Sequence, residues 1–229
     1  SPKCKWQYRI SSRNGDIKAI GKRKGKISIA IVRTFAYNKD RWKHYSRKEM
    51  FYMATKIMID AGHGGYDNGA SYEGRLEKND NLNLALALGD ELTRRGYDVV
   101  YTRTEDVYDS PVRKAQKGNE SGADYFISLH RNSAPEANKY SGVQTLVYDK
   151  SGVKYNLAQE INSELEKLGF RNINVEERPG LAVLRRTEMP AVLIETGFIN
   201  NDYDNYLYDY NFEAIADAIA NAVDETIGA

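Results

Sequence analysis

The sequence predicts an α/β fold: a single domain on a twisted, largely parallel sheet of about six strands, flanked by helices on both faces and preceded by a basic N-terminal extension. Three observations predict it. From residue 56 onward, short apolar runs bounded by turn residues alternate with longer stretches of helical periodicity, the pattern of a parallel sheet with crossover helices. Glycines follow the helical stretches, where a left-handed cap belongs. The charge also breaks near residue 53. Residues 1–53 carry 15 Lys/Arg against 3 Asp/Glu, a net of +12, whereas residues 54–229 carry 18 against 29, a net of −11. Such a break marks a boundary, so the expected division is 1–53 as extension and 54–229 as a catalytic domain.

Taken in order, residues 56–60 read as a buried strand with a glycine-rich exit through Gly62, Gly64 and Gly65. Residues 77–95 read as a helix, with Leu82, Leu84, Ala85, Leu88 and Leu92 near helical spacing and Gly96 beyond the end. A strand follows at 97–102. Residues 111–121 form a helix opened by Pro111, since proline suits a first turn. Strands are expected at 124–129 and 142–148, a helix at 153–168 closed by Gly169, short strands at 181–184 and 191–194, and a last helix at 212–227. Ligands of open sheets of this kind bind beyond the carboxyl ends of the strands.

Composition sets bounds. The 229 residues are 41% apolar, enough for a core, and Cys4 is the only cysteine, so no internal disulfide forms. The run Ile27–Val32 is too short to cross a bilayer, which takes about 20 residues, and it lacks the cleavage site of a signal peptide. The chain is therefore expected to avoid membrane insertion, to be made in the cytoplasm, and to reach any outer target by lysis, a holin or non-classical export. The basic stretch 1–53, with its Lys22–Lys26 cluster, reads as a poorly ordered extension, as an arm for an anionic polymer, or as non-native sequence ahead of a start at Met53. No nucleic-acid partner is expected for the domain, and a monomer is.

Chemistry concentrates at strand ends. Of the three histidines, His44 lies in the extension, while His63 and His130 each follow a strand of the domain. Each fits a structural or a ligating role. The apolar run at 191–194 ends in Glu195, and Glu77 opens the first helix, where a carboxylate is also a good dipole partner. Two histidines and one carboxylate with an open fourth position make a known catalytic zinc set. A second carboxylate would then handle protons, and Glu195 is the candidate.

The motifs themselves resemble a known family. Residues 59–65 (Ile-Asp-Ala-Gly-His-Gly-Gly) with Asp67, Gly69 and Ala70, then Glu77 with Asn81, are similar to the opening blocks of the type 3 N-acetylmuramoyl-L-alanine amidases. Residues 101–104 with Asp106 and Arg113, residues 126–130 with Asn132 and Ser133, and residues 189–201 resemble its later blocks in order. The resemblance spans about residues 55–227. It implies zinc ligands at His63, Glu77 and His130 and a catalytic glutamate at Glu195. It also implies one Zn2+ per chain and hydrolysis of the amide joining the lactyl group of N-acetylmuramic acid to L-alanine in peptidoglycan, as an autolysin or endolysin does. The alternatives are an inactive wall-binding or regulatory module and a zinc peptidase on a related fold.

The sequence departs from that pattern at Ala61, where proline is common, and at Arg131, where a small residue is usual. Arg131 is expected either to meet a substrate carboxylate, with Asn132 beside it, or to face solvent. Glu73 is a rival to Glu77. Asp60 is expected to hold its turn through backbone hydrogen bonds, and Arg103 and Arg113 to form structural ion pairs. Tyr203, Tyr206, Tyr208 and Tyr210 are expected to pack round a short connecting helix or to offer a glycan-stacking surface. Residues 131–141 are too few for an inserted autoinhibitory helix, so an open site is expected.

Overall fold

Period-two alternation in three neighbouring strands decides how the domain is layered. Ile57 and Ile59 of β4 (Lys56–Ala61), Ile127 and Leu129 of β8 (Tyr125–Asn132), and Val192 and Ile194 of β11 (Ala191–Phe198) bury into one core cluster. The residues between them, Met58, Phe126, Ala191 and Leu193, bury into a second cluster on the opposite face. A sheet apolar on both faces must be covered on both.

The structure is a computed structural model. It describes residues 54–228 and, as backbone alone, residues 10–13, 16–23 and 26–32. The chain divides into two units, 1–52 and 53–229. In the first, β1 (Ile10–Arg13), β2 (Asp16–Arg23) and β3 (Lys26–Val32) form an antiparallel sheet in the order β1-β2-β3, with Ile10 opposite Ala19 and Ile17 opposite Val32. Strands there were not foreseen from the weak patterning. The readings of this stretch as an arm, or as non-native sequence, lie outside the described residues.

The second unit holds a six-stranded sheet in the order β10-β9-β11-β8-β4-β7, adding β7 (Asp98–Tyr101), β9 (Val143–Val147) and β10 (Asn172–Glu177). Four of its pairings are parallel, and only β9 against β11 is antiparallel. A two-stranded hairpin, β5 (Ser71–Tyr72) with β6 (Arg75–Leu76), precedes the first helix. Helices α1 (Glu77–Arg95), α3 (Gly152–Glu166) and α6 (Phe212–Ile227) supply Leu84, Leu88, Leu92, Leu157, Ile161, Ile215 and Ile219 to the first core. On the other face stand α2 (Pro111–Ser121) and the short α4 (Ala182–Arg185). A further helix, α5 (Asp202–Tyr210), leads from β11 to α6.

Local signals set the ends of these elements. Ser110 caps α2 by accepting from the Arg113 amide at 3.2 Å, with Pro111 in the first turn. Gly96 closes α1 at φ 97°, a left-handed geometry that glycine adopts without strain. Two strand expectations need correction. Residues 181–184 are no strand: Ala182–Arg185 is a helical turn. The sixth strand is instead β10, a half-exposed edge strand that no apolar run announces.

Because β4, β8 and β11 run parallel with Ala61 opposite Leu129 and Glu195 opposite His130, their carboxyl ends share one edge. Phe126 fills the smaller core, fully buried against Gly118 of α2. Phe126→Ala is expected to cost about 3–5 kcal/mol, the range for a fully buried aromatic, measured by urea denaturation.

Candidate metal centre

The shared edge of the sheet receives the chemistry-bearing residues from three elements. His63 stands two residues past β4 in a glycine-rich turn and takes a left-handed conformation, φ 59°. Glu77 is the first residue of α1, which begins at that edge. His130 lies within β8 rather than beyond it. One ligand atom from each of His63, Glu77 and His130 falls within 4.8 Å of the others, and among the described residues this is the one such group of three or more metal-ligating side chains. Glu77 Oε1 lies 3.2 Å from His63 Nε2 and 2.9 Å from His130 Nδ1. The imidazole planes cross at 78°, with centroids 5.0 Å apart.

Close approach requires missing side chains. A Cβ on Gly62 would lie 2.4 Å from the His130 ring, and one on Gly69 would lie 2.5 Å from Glu77 Oε2. Glu77 is held from several sides. Its Oε2 accepts from the Ala70 amide at 2.8 Å, and its Oε1 from the Arg131 amide at 3.1 Å and Asn81 Nδ2 at 3.3 Å. Asp67 lies 2.9 Å from His63 Nδ1, the nitrogen turned away from Glu77. A carboxylate in that place fixes a ligating imidazole's orientation.

The electrostatics follow. Burial alone would raise Glu77, but hydrogen bonds and charge from both imidazoles hold it far below the usual carboxylate range. Burial pulls His63 down, yet the carboxylates of Glu77 and Asp67 outweigh it and push the imidazole up to about 9. Two imidazoles gathered on one buried anion are a donor set suited to a divalent cation, which would replace the proton that now balances the charge. Glu195 is the opposite case. It sits on β11 beside His130, its Oε2 is buried without a partner, and burial pushes it up to about 7.

Other candidates fall elsewhere. Glu73 is exposed in the turn of the β5–β6 hairpin, outside the group. Arg131 corrects its expectation on both counts, because it faces neither solvent nor an open site. Period two turns it to the same face as Leu129, where it is buried. It pairs with Asp80 at 2.6 Å, donates to Asn205 Oδ1 at 2.8 Å, and stacks over Tyr208 at 4.1 Å. Asn132 is half-buried near Gln144, at 3.5 Å. Asp60 accepts from side chains, not backbone: Thr102 and Ser128 at 2.7 Å each, and Lys114 at 3.0 Å. Arg113 is exposed and pairs with Glu120. Residues 133–142 contain no helix, as expected of an uninserted loop.

Reasoning from sequence missed Lys114 behind the His63 turn, and for Arg103 it expected a structural role but with acidic partners. Buried Lys114 donates to the carbonyls of Ala61 at 2.5 Å and His63 at 3.2 Å. Among the described residues Arg103 forms no ion pair but donates to the carbonyls of Ala61, Gly62, Glu105 and Lys78 at 2.8–3.0 Å. A lysine on an otherwise polar helix gives no sign that it points inward.

A largely parallel α/β sheet that carries a His-Glu-His cluster at its carboxyl edge, with a buried unpaired glutamate alongside, defines a metallohydrolase type of architecture. Comparison makes this specific. The N-acetylmuramoyl-L-alanine amidase family pattern matches residues 57–225, and the chain belongs to that type 3 amidase family. It is 37% identical over 154 residues to the N-acetylmuramoyl-L-alanine amidase CwlM of Bacillus licheniformis, covering 66% of this chain and 59% of that protein. It is 35% identical over 158 residues to the endolysin of Bacillus phage SPP1, covering 65% of this chain and 56% of that one. The crystal structure of N-acetylmuramoyl-L-alanine amidase from Clostridium difficile 630 superposes with a TM-score of 0.70 at 32% identity, over 74% of this chain and 95% of that one. The chain thus spans less than two thirds of the length of those first two relatives.

Removing Asp67 tests the cluster without touching a ligand. In metal-free Asp67→Ala the His63 titration, followed by NMR, is expected to move down from about 9, since one of the two carboxylates that raise it is gone. Divalent-cation affinity, measured by chelator competition, is expected to fall about 10–100-fold.

Proposed function

We propose that this chain is a zinc-dependent peptidoglycan amidase. In this reading it hydrolyses the amide between the lactyl group of N-acetylmuramic acid and L-alanine of the stem peptide. The observation that carries the reading is the convergence of His63, Glu77 and His130 beside an unpaired, buried Glu195, in a member of the amidase family. His63, Glu77 and His130 would hold the ion. Zinc bound there supplies Lewis acidity toward a carbonyl oxygen and toward water.

The chain's own residues do the rest. Glu77 supplies the negative charge that draws the cation in, and its three further hydrogen bonds keep it from rotating away. Asp67 orients His63, and Lys114 and Arg103 fix the turn that carries it. Glu195 takes a proton from the attacking water and returns it to the departing amide nitrogen, so that one C–O bond forms as the C–N bond breaks. A carboxyl poised at about 7 suits that exchange near neutral pH. A neighbouring cation lowers it, so the acid limb of kcat is expected to have its midpoint below 7.

Digestion of defined muropeptides with and without a chelator tests the proposal. The expected products are a free lactyl carboxylate on the sugar and a free α-amine on L-alanine, both abolished by the chelator. New ends between two amino acids would mean a peptidase, and no new ends an inactive module. Glu195→Ala is expected to retain zinc and the native melting profile while losing about 10²–10⁴-fold in turnover, the usual share of a general base. His63→Ala and His130→Ala are expected to lose the metal itself, read by elemental analysis.

A further inference from the structure

Helix α5 has two unlike faces. Leu207, Tyr208 and the carboxylate of Asp204 turn inward and are buried. Tyr203, Tyr206 and Tyr210 turn outward, at spacings of three and four residues that place them along one line. They are 59%, 58% and 75% exposed. Their rings form a ladder: Tyr203 and Tyr206 lie 6.4 Å apart at 27°, and Tyr206 and Tyr210 lie 5.7 Å apart at 16°. Single exposed aromatics are ordinary, whereas contiguous exposed apolar surface tends to mark interaction sites.

We propose that this ladder binds the glycan strand of peptidoglycan, so that the wall polymer lies across α5 while one stem peptide reaches the metal centre. The proposal rests on the wall substrate argued above. Three observations select a glycan. First, charge: α5 carries Asp202, Asp204 and Asp209 and no Lys or Arg, which disfavours nucleic acid, an anionic wall polymer or an anionic lipid surface. Second, chemistry: a tyrosine ring offers an apolar face and a polar tip, matching a sugar's C–H face and its hydroxyl rim. A depression of about 360 Å³ beside Tyr206, lined by Tyr72, Arg75, Asp202, Asn205 and Asp209, supplies donors and acceptors for that rim.

Third, continuity: α5 starts four residues after β11, the strand that bears Glu195, and the ladder is braced to the hairpin that leads into Glu77. Arg75 of that hairpin pairs with Asp209 at 2.7 Å and with Asp80 at 2.6 Å. From Tyr203 to Tyr210 the helix advances about 10 Å, room for more than one sugar ring.

The test uses the full chain with Y203S/Y206S/Y210S and its counterpart Y203F/Y206F/Y210F, both checked for an unchanged melting profile. Two measurements run in parallel: cosedimentation with purified peptide-free glycan strands, and cleavage of intact sacculi against a single-sugar muramoyl peptide. The serine variant is expected to lose about tenfold or more in glycan affinity and in the half-saturating amount of sacculi. Its kcat/KM on the single-sugar peptide should stay unchanged, and the phenylalanine variant should restore most of the binding. Equal glycan binding by parent and serine variant overturns the proposal, as does an equal loss on both substrates. A change confined to self-association, seen by analytical ultracentrifugation, also overturns it in favour of a protein interface. If the parent binds glycan through these tyrosines but cleaves neither substrate, the hydrolase reading fails and the ladder stands.

Discussion

One buried negative charge organises the active edge of this domain. The Glu77 carboxylate is only 5% exposed, and an isolated anion so placed would cost several kcal/mol in lost hydration. The fold answers with convergent donors: the amides of Ala70 and Arg131, the Asn81 side chain and two imidazoles. Gly62 and Gly69 lack side chains where any Cβ would push those groups apart. Without a cation, the carboxylates of Glu77 and Asp67 push His63 up to about 9, which favours its charge-balancing protonated form near neutral pH. A divalent ion would balance the charge more fully, and for that reason the same geometry both strains to stay neutral and invites a metal.

Around this centre the cations act on backbone more than on acids. Lys114, Arg103 and Lys78 together grip the carbonyls of Ala61, Gly62, His63 and Gly65. A left-handed histidine in a glycine-rich turn has little rigidity of its own. Tying its carbonyls to buried cations from α1, α2 and the β7 exit substitutes for it. The Asp60–Lys114 pair shows the same economy. Asp60 balances the lysine's charge with help from Thr102 and Ser128, which leaves the ammonium free to hold the turn. Arg131 does comparable work on the other side: its guanidinium locks Asp80 and Asn205 together, and its amide feeds Glu77.

How much of this the sequence revealed depended on whether a feature was local. Helices 77–95, 111–121 and 212–227 were legible to the residue, because caps and apolar spacing are short-range signals. The central strands were legible as apolar runs. Strand β10, with the sequence NINVEE, was not, since an edge strand buried on one side needs few apolar residues. The run LAVL at 181–184 failed for the converse reason: four apolar residues carry no period by which a strand and a helical turn differ. The candidate metal-ligating residues were found through strand-end placement and motif order, and their convergence is visible only once β4 and β8 align. The roles of Lys114 and Arg131 were hidden, because their hydrogen-bonded partners lie 51 to 74 residues away in sequence. The period-two position of Arg131, in step with Ile127 and Leu129, was the one available hint that it faced inward.

The two glutamates of this edge show how a single fold sets opposite chemistry for one residue type. Glu77 has a backbone donor on Oε2, backbone and side-chain donors on Oε1 and two imidazoles against it, which hold its carboxyl far below the usual carboxylate range. Glu195, one strand away, has Oε2 buried without a partner and a carboxyl raised to about 7. Environments that push two like groups apart in this way mark a division of labour: a permanent anion suits a ligand, and a group that gains and loses its proton near neutrality suits acid–base work. That division follows from burial, which raises Glu195 unopposed by any donor on Oε2, and from the two imidazoles, which outweigh burial at Glu77. A cation held by the cluster would lower both groups, but the buried, partnerless oxygen of Glu195 keeps the two environments distinct.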